Sequence, residues 1–307
     1  MRGPPPISPG PLAGRPRFSC PIPRPIRKGP LGVTDRETLQ DRPPPLPSPR
    51  PERRVDFFIL GVQKGGTTAL DAMLRRHPAI QMAHRKEVHF FDDEDLDWTR
   101  PDPAGLHDLF DWSSDTVLRG EATPIYIYWP QAIERLAAYN PRARLVICLR
   151  HPAFRAYSHW RMETAQQHDT LPFSRAIRAG RDRVALAPDG VHRVFSYVER
   201  GFYAAQIARL LTHFPRRQLL FLRTDRLWAQ PETELARLLD FLQLPPAQIA
   251  LRDYIVPIVS TETTPMAAAD HAYLCGLYDS DIRATSQITG LDLGDWLDPG
   301  YAEPMAG

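Results

Sequence analysis

From about residue 55 onward the chain alternates short, unbroken apolar runs with longer segments in which apolar residues recur every three or four positions. Asp56-Phe57-Phe58-Ile59-Leu60-Gly61-Val62 is the first such run, rich in strand formers and flanked by charge and glycine, as a buried parallel strand should be. Arg144-Leu145-Val146-Ile147-Cys148-Leu149-Arg150 and Gln218-Leu219-Leu220-Phe221-Leu222-Arg223 repeat that character, each after helix-compatible sequence ending in Asn140-Pro141 or Phe214-Pro215. Between them, Leu70, Met73, Leu74 and His77 fall at helical spacing before Pro78, and residues 153–165, 199–213, 231–243 and 266–289 read as further helices. The alternation predicts a doubly wound α/β fold: a three-layer α/β/α domain around a mostly parallel central sheet. No internal repeat is visible.

The pattern stops abruptly on the N-terminal side. Fifteen of the 33 prolines precede Pro51, in stretches such as Gly3-Pro4-Pro5-Pro6 and Arg42-Pro43-Pro44-Pro45 that bury nothing. Residues 1–54 hold 11 Lys/Arg against 4 Asp/Glu, which leaves 27 against 32 for the rest of the 38 and 36. The basic balance therefore belongs to a tail, residues 1–54, expected to be disordered, and the chemistry to one domain, residues 55–307. Such a tail reads either as a solvated leader or as a docking segment for an SH3-like module or an acidic surface. Cys20, Cys148 and Cys275 are too few and too scattered for a disulfide framework or a zinc site. With no apolar leader core and no run of about 20 apolar residues, the expectation is a soluble protein without a membrane span, in the cytoplasm.

Strand one is followed by Gln63-Lys64-Gly65-Gly66-Thr67-Thr68 and then by a helix, the arrangement of a phosphate cradle. Glycines let the backbone approach an anion, and the amides of Gly65, Gly66, Thr67 and Thr68 would face it at a helix start, where the dipole favours negative charge. The loop is thus P-loop-like. In the nucleotide-triphosphatase pattern G-x-x-x-x-G-K-[ST] a lysine follows the last glycine, but here Thr67 follows Gly66 and the lysine is Lys64. A triphosphatase also tends to end a neighbouring strand with a magnesium-binding aspartate, whereas this strand ends in Arg150, a phosphate ligand rather than a metal ligand. A nucleotide kinase is accordingly the weaker alternative.

These residues resemble the PAPS-dependent sulfotransferase family, whose members take a sulfuryl group from 3′-phosphoadenosine 5′-phosphosulfate. The loop from Gly61 to Thr68 is similar to the family's 5′-phosphosulfate loop. Leu149-Arg150-His151-Pro152-Ala153-Phe154-Arg155-Ala156-Tyr157-Ser158 is similar to its 3′-phosphate site, with Arg150 and Ser158 at the matching positions. Lys86-Glu87-Val88-His89-Phe90-Phe91-Asp92 and Gly120-Glu121-Ala122-Thr123-Pro124-Ile125-Tyr126 resemble segments of the heparan-sulfate glucosaminyl sulfotransferases. The likeness spans about 56–243 and looks closest to bacterial members of that branch, which also share Arg200-Gly201-Phe202-Tyr203. Two departures stand out: Ala122 replaces a lysine that helps line the acceptor cleft, and residues 255–266 lack the Lys-Gly loop and disulfide that close over the nucleotide.

The resemblance implies Glu87 as the catalytic base, Lys64 as the cation that meets charge on the leaving oxygen, and Arg150 with Ser158 as the readers of the 3′-phosphate. His89, two residues from Glu87, is a second base or an orienter of the acceptor, on the same face if the segment is extended. An apolar setting before Val88-His89-Phe90-Phe91 would raise the Glu87 pKa, and pairing with Lys86 is the competing reading. Thr67 and Thr68 serve as hydroxyl donors or as helix caps, and Glu121 and Tyr126 either approach the acceptor or support the loop. No metal is required for in-line sulfuryl transfer in principle. The basic-aromatic run 153–160 has the composition of a single-stranded nucleic-acid surface, but helical packing explains it better, so no nucleic acid is expected. The partner is a small-molecule or glycan acceptor, which the sequence leaves open together with oligomeric state, and residues 166–198 read as a mobile cover over its cleft. A protein that binds PAPS without turnover is the remaining alternative.

Overall fold

The computed structural model describes residues 53–114, 117–247 and 265–304. Nearly all of the Pro/Arg-rich tail, and the nucleotide-lid departure at 255–266 up to Thr264, lie outside the described residues. Five strands form one sheet, β1 (Phe57–Gly61), β2 (Ile80–Met82), β3 (Leu118–Ala122), β4 (Arg144–Leu149) and β5 (Leu219–Arg223), in the order β2-β3-β1-β4-β5. Every pairing is parallel, with Phe57 opposite Gly120 and Arg144, and Leu145 opposite Leu219. The connections that leave β1 and β4 run toward opposite edges of the sheet, so the crevice beyond the carboxyl ends of these adjacent strands is a topological switch point, the usual place for a ligand in such sheets.

Ten α-helices accompany the strands among the described residues, seven between strands and three after β5: α1 (Thr67–Leu74), α2 (Ala104–His107), α3 (Ala132–Tyr139), α4 (Pro152–Ala165), α5 (Phe173–Ala176), α6 (Asp182–Ala185), α7 (Tyr203–His213), α8 (Thr224–Ala229), α9 (Pro231–Leu242) and α10 (Ala268–Thr289). The period of two along each strand sorts its side chains into two cores. Phe57, Ile59, Val146, Cys148 and Leu222 meet Leu70 and Met73 of α1 and Leu238 of α9 on one face. Phe58, Leu60, Leu145, Ile147 and Phe221 meet Leu136, Ala153, Leu210 and Leu274 on the other. The three-layer reading therefore holds, and the sheet is wholly parallel. No described helix is long and apolar enough to cross a membrane.

The structure departs from the sequence reading in three places. β2 and β3 are strands that periodicity does not reveal. Leu-Arg-Gly-Glu-Ala in β3 is fully buried yet half polar, because Arg119 bonds the carbonyls of Asp111 and Ser114 and lies 4.3 Å from the Trp112 ring centre. The helix expected over 199–213 is broken at Phe202, after a turn of 3₁₀ helix (Glu199–Gly201). Gly201 packs so close to Tyr278 that a Cβ would sit 2.5 Å from its hydroxyl, and Asp281 of α10 accepts from the Tyr203 and Ala204 amides to cap α7 anew at 2.7 and 3.2 Å. Residues 166–198, expected to lack a core pattern, bury Phe173, Ala176, Ile177, Val184 and Tyr197, and Asp169 there holds both Arg183 and the Tyr197 hydroxyl at 2.9 Å. The 153–160 run is packing, as expected: Arg155, His159 and Trp160 are buried.

Gly120 permits the tightest contact in the sheet, since a Cβ there would lie 2.1 Å from Phe57 Cζ. Gly120→Ala should lower the unfolding free energy by about 1–3 kcal/mol, the usual cost of overpacking a core, read as a fall in the denaturation midpoint at unchanged slope.

Candidate functional site

At the carboxyl end of β1 the chain turns through Val62–Gly66 into α1. Gly65 lies against β4: a Cβ would meet the Cys148 carbonyl at 2.4 Å. Gly66 takes the left-handed conformation, with φ 87°, and occupies the N-cap of α1. The first intrahelical bond runs from the Leu70 amide to the Gly66 carbonyl at 3.1 Å, so the amides of Thr67, Thr68 and Ala69 have no partner within the helix. No acidic residue occupies that first turn, and the exposed end of the dipole stays available to an anion. Thr67 is buried and Thr68 exposed, and neither caps the helix with its side chain. The Thr224 hydroxyl, at the end of β5, lies 2.7 Å from the Gly65 carbonyl and 3.0 Å from that of Leu149, tying three strand ends together.

Lys64 projects from this loop in a left-handed backbone conformation, with φ 69°. Burial first, and then the charge of Arg150, lower its pKa to about 8, and its Nζ lies 3.6 Å from Met162 Sδ. Arg150, where β4 ends, donates to the Lys64 carbonyl at 3.0 Å. Its remaining nitrogens grip the Glu303 carboxylate in a bidentate pair at 2.7 and 2.6 Å, the geometry with which a guanidinium also binds a phosphate. Ser158, nearly two turns into α4, is buried, and its hydroxyl has no partner among the described residues. A buried hydroxyl left unpaired is costly, and it fits a polar ligand at this place.

Glu87 and His89 lie on the segment between β2 and α2, and its backbone hangs from the end of β3. The Glu87 amide donates to the Ala122 carbonyl at 3.0 Å, Val88 to Glu121 Oε1 at 3.3 Å, His89 to Thr123 Oγ1 at 3.4 Å, and Phe90 to the Tyr126 hydroxyl at 2.9 Å. Four consecutive amides are thus held by Glu121–Tyr126, which answers the question left open for Glu121 and Tyr126: both support the loop. The backbone here is not extended. Glu87 and His89 have φ of 59° and 60°, a strained region for side-chain-bearing residues. It still brings the pair together, with His89 Nε2 3.8 Å from Glu87 Oε2. The apolar wall expected around Glu87 is absent: its side chain is 41% exposed and paired with Lys86.

Two further contributors, Asp92 and Arg200, are given no role by the sequence reading. Asp92, wholly buried, lies 2.9 Å from His89 Nδ1 and also holds Arg193. The hydrogen bond to Asp92 raises the His89 pKa against the opposing effect of burial, so the imidazole leans toward its charged form. The Asp92 bond fixes the ring with Nε2 toward Glu87. Arg200, buried, bonds Gln63 of the phosphate loop. Glu121 is the carboxyl whose pKa does rise, to about 7, because it is completely buried. The acidic residue three positions after His89 is the only one of these with a local sequence signal, a His-x-x-Asp spacing within one turn.

A glycine loop at a helix N-terminus, a cation at its mouth, an arginine at the next strand end and a carboxylate-imidazole pair opposite define a site for moving an anionic group held on a phosphorylated ligand. The chain belongs to the sulfotransferase family, whose sulfotransferase-domain profile matches residues 54–263. Human heparan sulfate glucosamine 3-O-sulfotransferase 3B1 is 30% identical over 257 residues, covering 78% of this chain and 63% of the relative. Human heparan sulfate glucosamine 3-O-sulfotransferase 6 is 35% identical over 204 residues, covering 65% and 56%. The chain thus spans less than two thirds of the length of either. The crystal structure of a sulfotransferase from Alicyclobacillus acidocaldarius superposes with a TM-score of 0.69 at 24% identity, over 80% of this chain and all of that one, a likeness of fold.

The raised Glu121 pKa has a consequence for stability. From 4.5, its ordinary value, to about 7, the unfolded chain is ionised there while the folded one is protonated. Stability should therefore be greatest below pH 4.5 with respect to this group, fall by on the order of 3 kcal/mol as pH rises to about 7, and level off above. Glu121→Gln should remove that component, as denaturation midpoints between pH 4.5 and 8 would reveal.

Proposed function

We propose that the protein is a PAPS-dependent sulfotransferase acting on a hydroxyl of a saccharide acceptor. One observation carries the donor assignment: Arg150 bonds the backbone of the phosphate loop at Lys64 and at the same time holds a carboxylate bidentately. A phosphate on the donor's 3′ side takes that carboxylate's place, beside the unpaired Ser158 hydroxyl, while the 5′-phosphosulfate sits on the amides of Gly65–Thr68. The acceptor oxygen attacks sulfur, the bond from sulfur to the bridging phosphate oxygen breaks, and Lys64 stabilises the charge that develops there. Glu87 takes the acceptor proton. His89 orients it, held by Asp92 and inclined toward the cationic form, which makes it the poorer base of the two. Sulfuryl transfer on this scheme draws on position and fixed charge and involves no metal.

The acceptor assignment rests on the family and on the relatives at 30 and 35% identity, both named as heparan sulfate glucosamine 3-O-sulfotransferases. At Ala122 the side chain is buried in the core beneath β1, so this chain meets its acceptor without a cation at that position. Lys86 and Arg193, partly exposed beside Glu87 and Asp92, are the nearest positive groups that could receive an anionic sugar.

Calorimetry with 3′-phosphoadenosine 5′-phosphate tests the donor site. The wild type should bind it in preference to 5′-AMP, and Arg150→Ala should lose that preference. Equal affinity for the two nucleotides in the wild type would remove the assignment. Glu87→Gln should retain nucleotide binding and lose about 10²–10⁴-fold in turnover with labelled PAPS and a glucosamine-containing glycan. Because Glu303 must leave Arg150 before a phosphate arrives, Glu303→Gln should tighten nucleotide binding by roughly tenfold or more, given ~1.5–3 kcal/mol for a hydrogen bond between charged groups.

A further inference from the structure

His271 and Cys275 of α10 are four residues apart, a spacing that puts both side chains on one face of the helix, and His271 Nε2 lies 3.5 Å from Cys275 Sγ. A third donor reaches them from across the domain. His151, at the N-cap of α4, has its ring centre 5.8 Å from that of His271 at an angle of 23°. One donor atom from each of the three lies within 4.8 Å of the others, about an ångström wider than bonds of about 2.0–2.3 Å impose around a tetrahedral ion.

His151 has the second partner that a ligating histidine needs. Its Nε2 lies 3.2 Å from the Trp296 carbonyl, which only accepts, so the ring proton sits on Nε2. That leaves the lone pair on Nδ1, a buried atom with no partner among the described residues. Burial lowers the pKa of His151 to about 4 and also lowers that of His271, so both imidazoles are neutral near pH 7. Burial raises the Cys275 thiol, whose proton an incoming ion would displace.

We propose that His151, His271 and Cys275 form a binding site for a divalent transition cation of the zinc class, with water in the fourth position. Two imidazoles and a thiolate suit zinc and disfavour magnesium or calcium, which take oxygen ligands. The ion would tie α10 to the start of α4, one residue from Arg150, and fix the ring on which Tyr301 stacks at 5.0 Å and 11°. The segment beginning with Tyr301 also carries Glu303, so the site would hold in place the stretch of chain that covers Arg150. It is independent of the donor and acceptor assignments.

The test is titration of the chelator-stripped, reduced full chain with Co²⁺, read through the near-ultraviolet thiolate-to-cobalt charge-transfer band. The wild type should take up one equivalent with that band and release it to Zn²⁺. Cys275→Ser should lose the band, and both it and His271→Ala should bind at least 10–100-fold more weakly, the penalty already attached to losing a mere supporting partner. Both side chains are only half-buried, and circular dichroism reports whether each variant is folded. Zinc should raise the melting temperature of the wild type and leave that of the variants unchanged. A band that persists in Cys275→Ser, or a wild type that takes up no cobalt, overturns the proposal.

Discussion

Everything on the acceptor side of this site depends on a row of backbone hydrogen bonds. Four consecutive amides, from Glu87 to Phe90, find their acceptors in one short stretch that leaves the sheet at β3. Glu121 supplies a carboxylate oxygen, Ala122 a carbonyl, Thr123 a hydroxyl and Tyr126 a phenol, all of them buried. Because β3 is itself paired to β1, the same strand that delivers the phosphate loop also fixes the height of the loop opposite. The Glu87 segment and the glycine loop are thus registered against each other through a single strand pair.

The donor side follows a different logic. There the loop is shaped by close approach, with Gly65 pressed on β4 and Gly66 in the left-handed turn, and charge is then added at its rim. Burial lowers the lysine pKa most, and repulsion between Lys64 and Arg150 lowers it further. That repulsion is an advantage in a site meant for a ligand of several negative charges, because an anion relieves it. On the proposed function, two cations held apart in the free protein favour a polyanionic nucleotide over a neutral or singly charged one.

Much of this was legible in the sequence, and the boundary between what was and what was not is physical. The strands at 57–61, 144–149 and 219–223 are continuous apolar runs because both faces are covered by helices. β3 hides because Arg119 and Glu121 are buried, Arg119 against the carbonyls of Asp111 and Ser114 and Glu121 against Val88 and Thr123, and no apolar period signals that an arginine will be buried. The roles proposed for Lys64, Glu87, His89 and Arg150 come from the family resemblance and the loop pattern. Arg200 and Glu303 have no such signal, since each acts on a residue that only the fold brings near, Arg200 across 137 positions and Glu303 across 153, whereas Asp92 lies three positions from His89. The expected setting of Glu87 failed for a related reason: neighbouring apolar residues in sequence, Val88 and Phe90, turn inward while Glu87 turns out.

Lys64, Glu87 and His89 share a feature that sets them apart from most of the chain: each holds a left-handed backbone that glycine would occupy at lower cost. For residues with a Cβ that conformation costs roughly 1–2 kcal/mol apiece, so, on the proposed function, the three positions that face the reaction are also three positions where the folded state is locally uncomfortable. A population of variants selected only for surviving heat would drift to glycine or asparagine at these positions early. It would become sturdier as it lost the chemistry, so robustness and catalysis pull this protein's sequence in opposite directions at the same residues.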